Sequence, residues 1–148
     1  MTGAVIAISV KNPLLAVPLS FVSHFVQDTL PHWDYGISRK GSPPEFFSRK
    51  FNRFLAADFL LSITLMVILA LTFPSQKWLI WACMIAAASP DLMWAYYRLH
   101  IEHIKKKQPN YDLLARFHIL VQWSQMAKGA WVELLWFIIT GAIILGLR

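Results

Sequence analysis

Apolar runs of nearly bilayer length alternate along this chain with short segments rich in Lys, Arg, Pro and Gly. A bilayer core takes about 20 apolar residues in a helix, and four runs approach that length. The first extends from about Pro13 to Leu30, with Pro13 suited to a first helical turn and Pro18 placed to kink it. The apolar stretch Ala4–Val10 either extends it or forms a short helix of its own. The others run from Phe54 to Phe73, from Trp78 to about Tyr97 and from Ala130 to Leu147. Between them, Glu45–Arg53 sets Phe46, Phe47 and Phe51 beside Arg49, Lys50 and Arg53, the pattern of an interfacial amphipathic helix. Asn110–Met126 repeats Leu113, Leu114, Phe117, Leu120 and Val121 at helical spacing. It is expected to lie on the membrane surface or to cover a site. Gly36, Gly41, Pro43 and Pro44 mark a turn. The pattern predicts one all-α domain over residues 1–148, an integral membrane helical bundle with about four transmembrane helices and two amphipathic helices.

Composition supports this reading. The chain of 148 residues is 57% hydrophobic, with seven Trp and ten Phe, beyond the range of an ordinary soluble domain. The single Cys83 lies within an apolar run and reads as a small buried hydrophobe, so no disulfide framework or thiolate metal site is expected. The net charge of +6 could suggest nucleic acid, but the basic residues flank the apolar runs. They read as topology signals and contacts for anionic lipid head groups, so no nucleic-acid partner is expected. Eleven of the 14 basic residues fall in His32–Arg53 and Arg98–Lys128. The positive-inside rule puts both segments in the cytoplasm and both termini outside. Met1–Val10 lacks a basic n-region, so no cleavable signal peptide is expected. The single cysteine and the missing n-region fit a prokaryotic cytoplasmic membrane. A homo-oligomer is left open.

Candidate chemistry concentrates in Ser23–Asp34. His24, Asp28, His32 and Asp34 fall within eleven residues, directly after an apolar run. His24 and Asp28, four apart, share a helix face. Ionisable side chains inside spans are expensive and point to function. His24, Asp28, Asp58, Asp91 and Glu133 all fall toward the same ends of their spans. Carboxylates gathered there must hold protons or a cation, and the histidines favour zinc, manganese or iron over calcium. His24 and Asp28 lead the ligand set, with His32, Asp34 and Asp91 next. His118 and Gln122, four apart, share a face that is either an interfacial polar stripe or part of the site. Asp58, Gln122 and Glu133 are expected to orient ligands from behind. His100-Ile101-Glu102-His103 sits beside Lys105-Lys106-Lys107 and reads as a solvated basic face. No phosphate-binding glycine loop and no nucleophile elbow occur.

The segment His24-Phe25-Val26-Gln27-Asp28-Thr29-Leu30-Pro31-His32 resembles the His-x-x-x-Asp…Pro…His segment of zinc-dependent phospholipase C and the P1-type nucleases. It is also similar to small multi-pass membrane-bound metal-dependent hydrolases, with Ser89-Pro90-Asp91 and Phe117-His118 as looser matches. The resemblance implies that His24, Asp28 and His32 are metal ligands completed by Asp91 and His118. The N-terminal tryptophan ligand of the first families has no counterpart in Met1-Thr2, and the His-Arg-Gly-x-Thr-His-like segment of the membrane hydrolases is absent. One or two metals is therefore the expected count. The implied activity is phosphoester hydrolysis, plausibly of a lipid or lipid-linked substrate, with Asp91 or Asp34 taking a proton from water. Two other functions fit the same residues: a non-catalytic membrane protein that binds lipid or a protein partner, and a small cation or proton transporter.

Overall fold

The computed structural model describes residues 1–33, 49–107, 110–124, 126 and 128–148. Asp34, the glycine–proline turn and the Glu45–Ser48 part of the first amphipathic segment lie outside the described residues. All described elements are helical: α1 (Thr2–Val10), α2 (Pro13–Asp28), α3 (Arg49–Thr72), α4 (Lys77–Ala95), α5 (Leu113–Val121) and α6 (Gly129–Gly146). α4 continues directly into a π-helical segment, Tyr96–Ile104.

The first apolar region forms two helices. Lys11 adopts a left-handed conformation, with φ at 60°, and closes α1 through its backbone N–H on Ala7. Asn12 then caps α2, its side-chain oxygen accepting from the Leu14 N–H at 3.0 Å, ahead of Pro13 in the first turn. α2 has 16 residues, about 24 Å of helix, short of the run expected to Leu30. Three helical stretches, Arg53–Thr72, Pro74–Ile101 and Gly129–Gly146, are long and apolar enough to cross a membrane. The chain leaves large apolar side chains such as Leu14, Leu60, Leu71, Trp131 and Leu145 exposed along its helices. An outer surface of that kind suits lipid better than water.

α4 is the central helix, packed against α1, α2 and α3. Small residues permit the close approach: Ala4, Ala7, Ala16 and Cys83 are fully buried around Ile80. Cys83 is thus a buried thiol, as its setting in the sequence suggests. Pro90 stands inside α4 without ending it. Its ring removes the N–H that would reach the Ala86 carbonyl, and the Ser89 hydroxyl donates to that carbonyl instead at 2.8 Å. The next residue, Asp91, is thereby carried at the far end of α4.

The chain after α2 is tied to the segment before α6. The Ser124 hydroxyl donates to the Leu30 carbonyl at 2.6 Å, and the Met126 N–H donates to the His32 carbonyl at 2.9 Å. Gly129 lies so near the His32 backbone that a Cβ would collide with it. Gly146, by contrast, faces open space. Gly129→Ala is therefore expected to cost about 1–3 kcal/mol and to lower the thermal midpoint in detergent, while Gly146→Ala leaves it nearly unchanged. Equal midpoints for the two variants would contradict this packing.

Candidate metal centre

Three elements deliver one side chain or more each to a common point. α2 supplies His24 and Asp28 from adjacent turns of one face. α5 supplies His118: Asp112 caps this helix by accepting from the Ala115 N–H at 2.8 Å, and Ala115 and His118 form its buried face. α4 supplies Asp91.

α5 is held over the bundle by aromatic side chains. Tyr111 packs between Trp94 and Tyr97, at ring distances of 5.7 and 5.1 Å. The Tyr97 hydroxyl accepts from the Asp112 N–H at 3.1 Å. From below, Phe25 meets Phe117 at 5.2 Å and the His118 ring at 5.4 Å. Much of the remaining surface of α5 is apolar and exposed, including Leu113, Phe117 and Leu120. This segment therefore covers the site, one of the two placements its periodicity allowed.

The polar atoms converge tightly. His118 Nε2 lies 2.7 Å from Asp28 Oδ2 and 3.1 Å from His24 Nε2. His24 Nε2 lies 3.3 Å from Asp28 Oδ2. His118 is fully buried, and the side chains of His24 and Asp28 are 11% and 15% exposed. Asp91 Oδ1 stands 3.5 Å from His24 Nε2 and 3.9 Å from His118 Nε2, with 61% of its side chain exposed. His24, Asp28 and His118 could together hold a metal ion. Ligand atoms about 2.0–2.1 Å from a tetrahedral zinc lie about 3.3–3.4 Å from one another, so a cation fits once the His118–Asp28 edge, now 2.7 Å, opens by about 0.6–0.7 Å. Asp28 and Asp91 contribute two negative charges toward a divalent cation.

The hydrogen bonds behind the cluster set its protons. The Trp94 indole N–H donates to His118 Nδ1 at 3.1 Å. An indole nitrogen can only donate, so Nδ1 is bare and a neutral His118 carries its hydrogen on Nε2, directed at Asp28. The amide of Gln122, four residues on, reaches the same Nε2 at 3.2 Å.

The remaining sequence candidates fall elsewhere. His32 is outside the three-residue cluster; its Nδ1 donates to the Leu30 carbonyl at 2.9 Å. Gln122 stands behind His118 as expected. Glu133 instead accepts from the Trp33 backbone N–H at 3.0 Å and so braces the chain after α2. Asp58 is exposed on α3, a helix packed chiefly on α4, so its predicted orienting role has no geometric support. His100 stacks on Tyr96, with ring centroids 5.4 Å apart. Trp94 joins the site although nothing in the sequence links it to His118, 24 residues away.

Comparisons with protein-family models, curated proteins and solved structures gave no match. The likeness to phospholipase C and the P1-type nucleases therefore rests on the quoted residues alone.

A metal entering this centre must displace the His118 Nε2 hydrogen, and Trp94 blocks the usual refuge on Nδ1. Metal uptake is therefore expected to release a proton and to weaken as pH falls. Trp94→Phe, which frees Nδ1 to carry the hydrogen, is expected to tighten zinc binding by about tenfold, the scale on which such partners act. Competition against a chromophoric chelator measures both effects. Weaker or unchanged binding in Trp94→Phe would contradict the assigned tautomer.

Proposed function

We propose that this chain is a membrane-embedded metal-dependent hydrolase acting on a phosphoester. The observation that carries the reading is the convergence of His24, Asp28 and His118 on one point, with a solvent-accessible carboxylate, Asp91, beside it. A purely structural zinc site is closed by four protein ligands, whereas a catalytic one keeps a position open. Here three buried or nearly buried ligands face an exposed side. A divalent cation held there supplies Lewis acidity toward a phosphoryl oxygen and lowers the pKa of water. Asp91, slightly farther out, is suited to accept a proton from that water. Zinc is the best match to two imidazoles and a carboxylate, with manganese and iron as alternatives.

Location supports a lipid or lipid-linked substrate. The cluster sits at the C-terminal ends of α2 and α4, under α5 and its exposed apolar side chains. The Arg98–Lys128 segment, which contains α5, is strongly basic and suits an anionic head group. By the positive-inside rule this end of the bundle faces the cytoplasm, with a prokaryotic inner leaflet as the setting.

One observation favours a second reading. The Trp94–His118–Asp28 hydrogen bonds already join α4, α5 and α2, so the same residues serve as interhelical ties in a non-catalytic membrane protein. Elemental mass spectrometry separates the two. A hydrolase is expected to hold about one zinc, manganese or iron per chain, lost in the His24→Ala/Asp28→Ala double variant. Asp91→Asn is expected to retain the metal but lose about 10²-fold or more in phosphodiesterase turnover of a phospholipid. Wild-type protein that stays metal-free after reconstitution would overturn the hydrolase and leave the interhelical ties.

A further inference from the structure

α3 turns one face to its own bundle and leaves the opposite face bare. It packs on α4 with Leu69 and Ala70 buried, and the Trp81 indole N–H donates to the Met66 carbonyl at 3.1 Å. Nearer its start, every residue from 53 to 64 is exposed. Ala57, Leu61, Thr64, Ile68 and Leu71 recur at alternating spacings of four and three residues, and all five are exposed. At about 3.6 residues per turn, that series runs along the side of α3 opposite Leu69 and Ala70. Phe54 heads it, its ring 5.9 Å from Trp33 and still exposed. Spacing of this kind forms the seam along which two helices pack side by side. Ala57 and Thr64, its smaller members, let two backbones approach closely.

Apolar exposure by itself calls only for lipid. Two charged side chains call for more. Arg53 and Asp58 are exposed on the same helix, and neither forms a hydrogen bond or ion pair among the described residues. Both belong to the stretch Arg53–Thr72, which is long and apolar enough to cross a membrane. An ionised carboxylate within such a stretch is expensive unless it is paired. The two residues stand about 140° apart around the helix axis, one on each flank of the seam, so they do not meet on one helix. In a parallel pair, the residue just before a seam position faces the one five places further along the other helix. Charged pairs at those flanking positions set partner choice and orientation. Copies of one chain insert in the same orientation, so two α3 helices meet in parallel, and a two-fold axis makes the contact twice. A foreign helix would have to carry a base and an acid at that same spacing; a second copy brings them by identity.

We propose that α3 is a homodimer interface, in which the seams of two copies pack together and Arg53 of each pairs with Asp58 of the other. The pairing gives Asp58, which has no place at the metal centre, a partner inside the membrane. No residue of the metal centre takes part, so the interface stands or falls apart from the hydrolase reading.

The test uses the full-length chain carrying Cys83→Ala, reconstituted in vesicles at high lipid excess, with single cysteines oxidised by copper phenanthroline. Leu61→Cys, on the seam, is expected to form a disulfide-linked dimer. Phe59→Cys, exposed at nearly the same depth but on another face of α3, is expected to link about tenfold less, because a disulfide cannot bridge backbones that far apart. Asp58→Arg sets like charges against each other on both flanks and is expected to lower linking through Leu61→Cys about tenfold. Adding Arg53→Asp to that chain restores opposite charges and is expected to restore linking, which a loss through misfolding would not allow. No linking through Leu61→Cys, equal linking through Phe59→Cys, or no recovery on the charge exchange would overturn the interface.

Discussion

The contact of His118 with Asp28 at 2.7 Å is the interaction on which the site depends. It joins a fully buried ring on α5 to a carboxylate at the end of α2. Neither group can be left alone there, because a buried ionisable side chain without a partner is strongly unfavourable. Satisfying both requires α5 to lie over the ends of α2 and α4. The aromatic packing of Tyr111 on Trp94 and Tyr97 holds it there, as does the Asp112 cap.

Much of the architecture is legible in the pattern of apolar positions. The long helices α3, α4 and α6 follow from apolar runs of about 20 residues, and the break after α3 follows from Pro74. Ahead of the first run, Ala4–Val10 belongs to a short helix of its own, one of the two placements its sequence allowed, because Lys11 turns left-handed and Asn12 caps the next helix; that helix closes at Asp28, just before Leu30. Pro90 stands inside the third run, as read, without ending it, because Ser89 takes over the freed carbonyl and the helix continues.

The site was legible where ligands are close in sequence or share a helical face. His24 and Asp28 follow from i, i+4 spacing, and His118 with Gln122 from the same rule on α5. That these two faces meet is a tertiary fact, suggested beforehand only by the family resemblance, which implied that His118 completes the site. His32 shows the limit of proximity along the chain. It lies four residues beyond Asp28, yet past the helix end, where its ring donates to the Leu30 carbonyl instead. Asp58 falls toward the same end of its apolar run as the others, but it is exposed on α3, which packs on α4. Trp94 could not be found from spacing, because a donor to a histidine ring leaves no periodic signature.

The measurement that tests the account most directly is X-ray absorption spectroscopy of the zinc-loaded protein in detergent. The account predicts two imidazole nitrogens and carboxylate or water oxygens at about 2.0–2.1 Å, with one imidazole lost in His118→Ala. A spectrum without imidazole scattering, or one unchanged by His118→Ala, would contradict a metal centre built from α2 and α5.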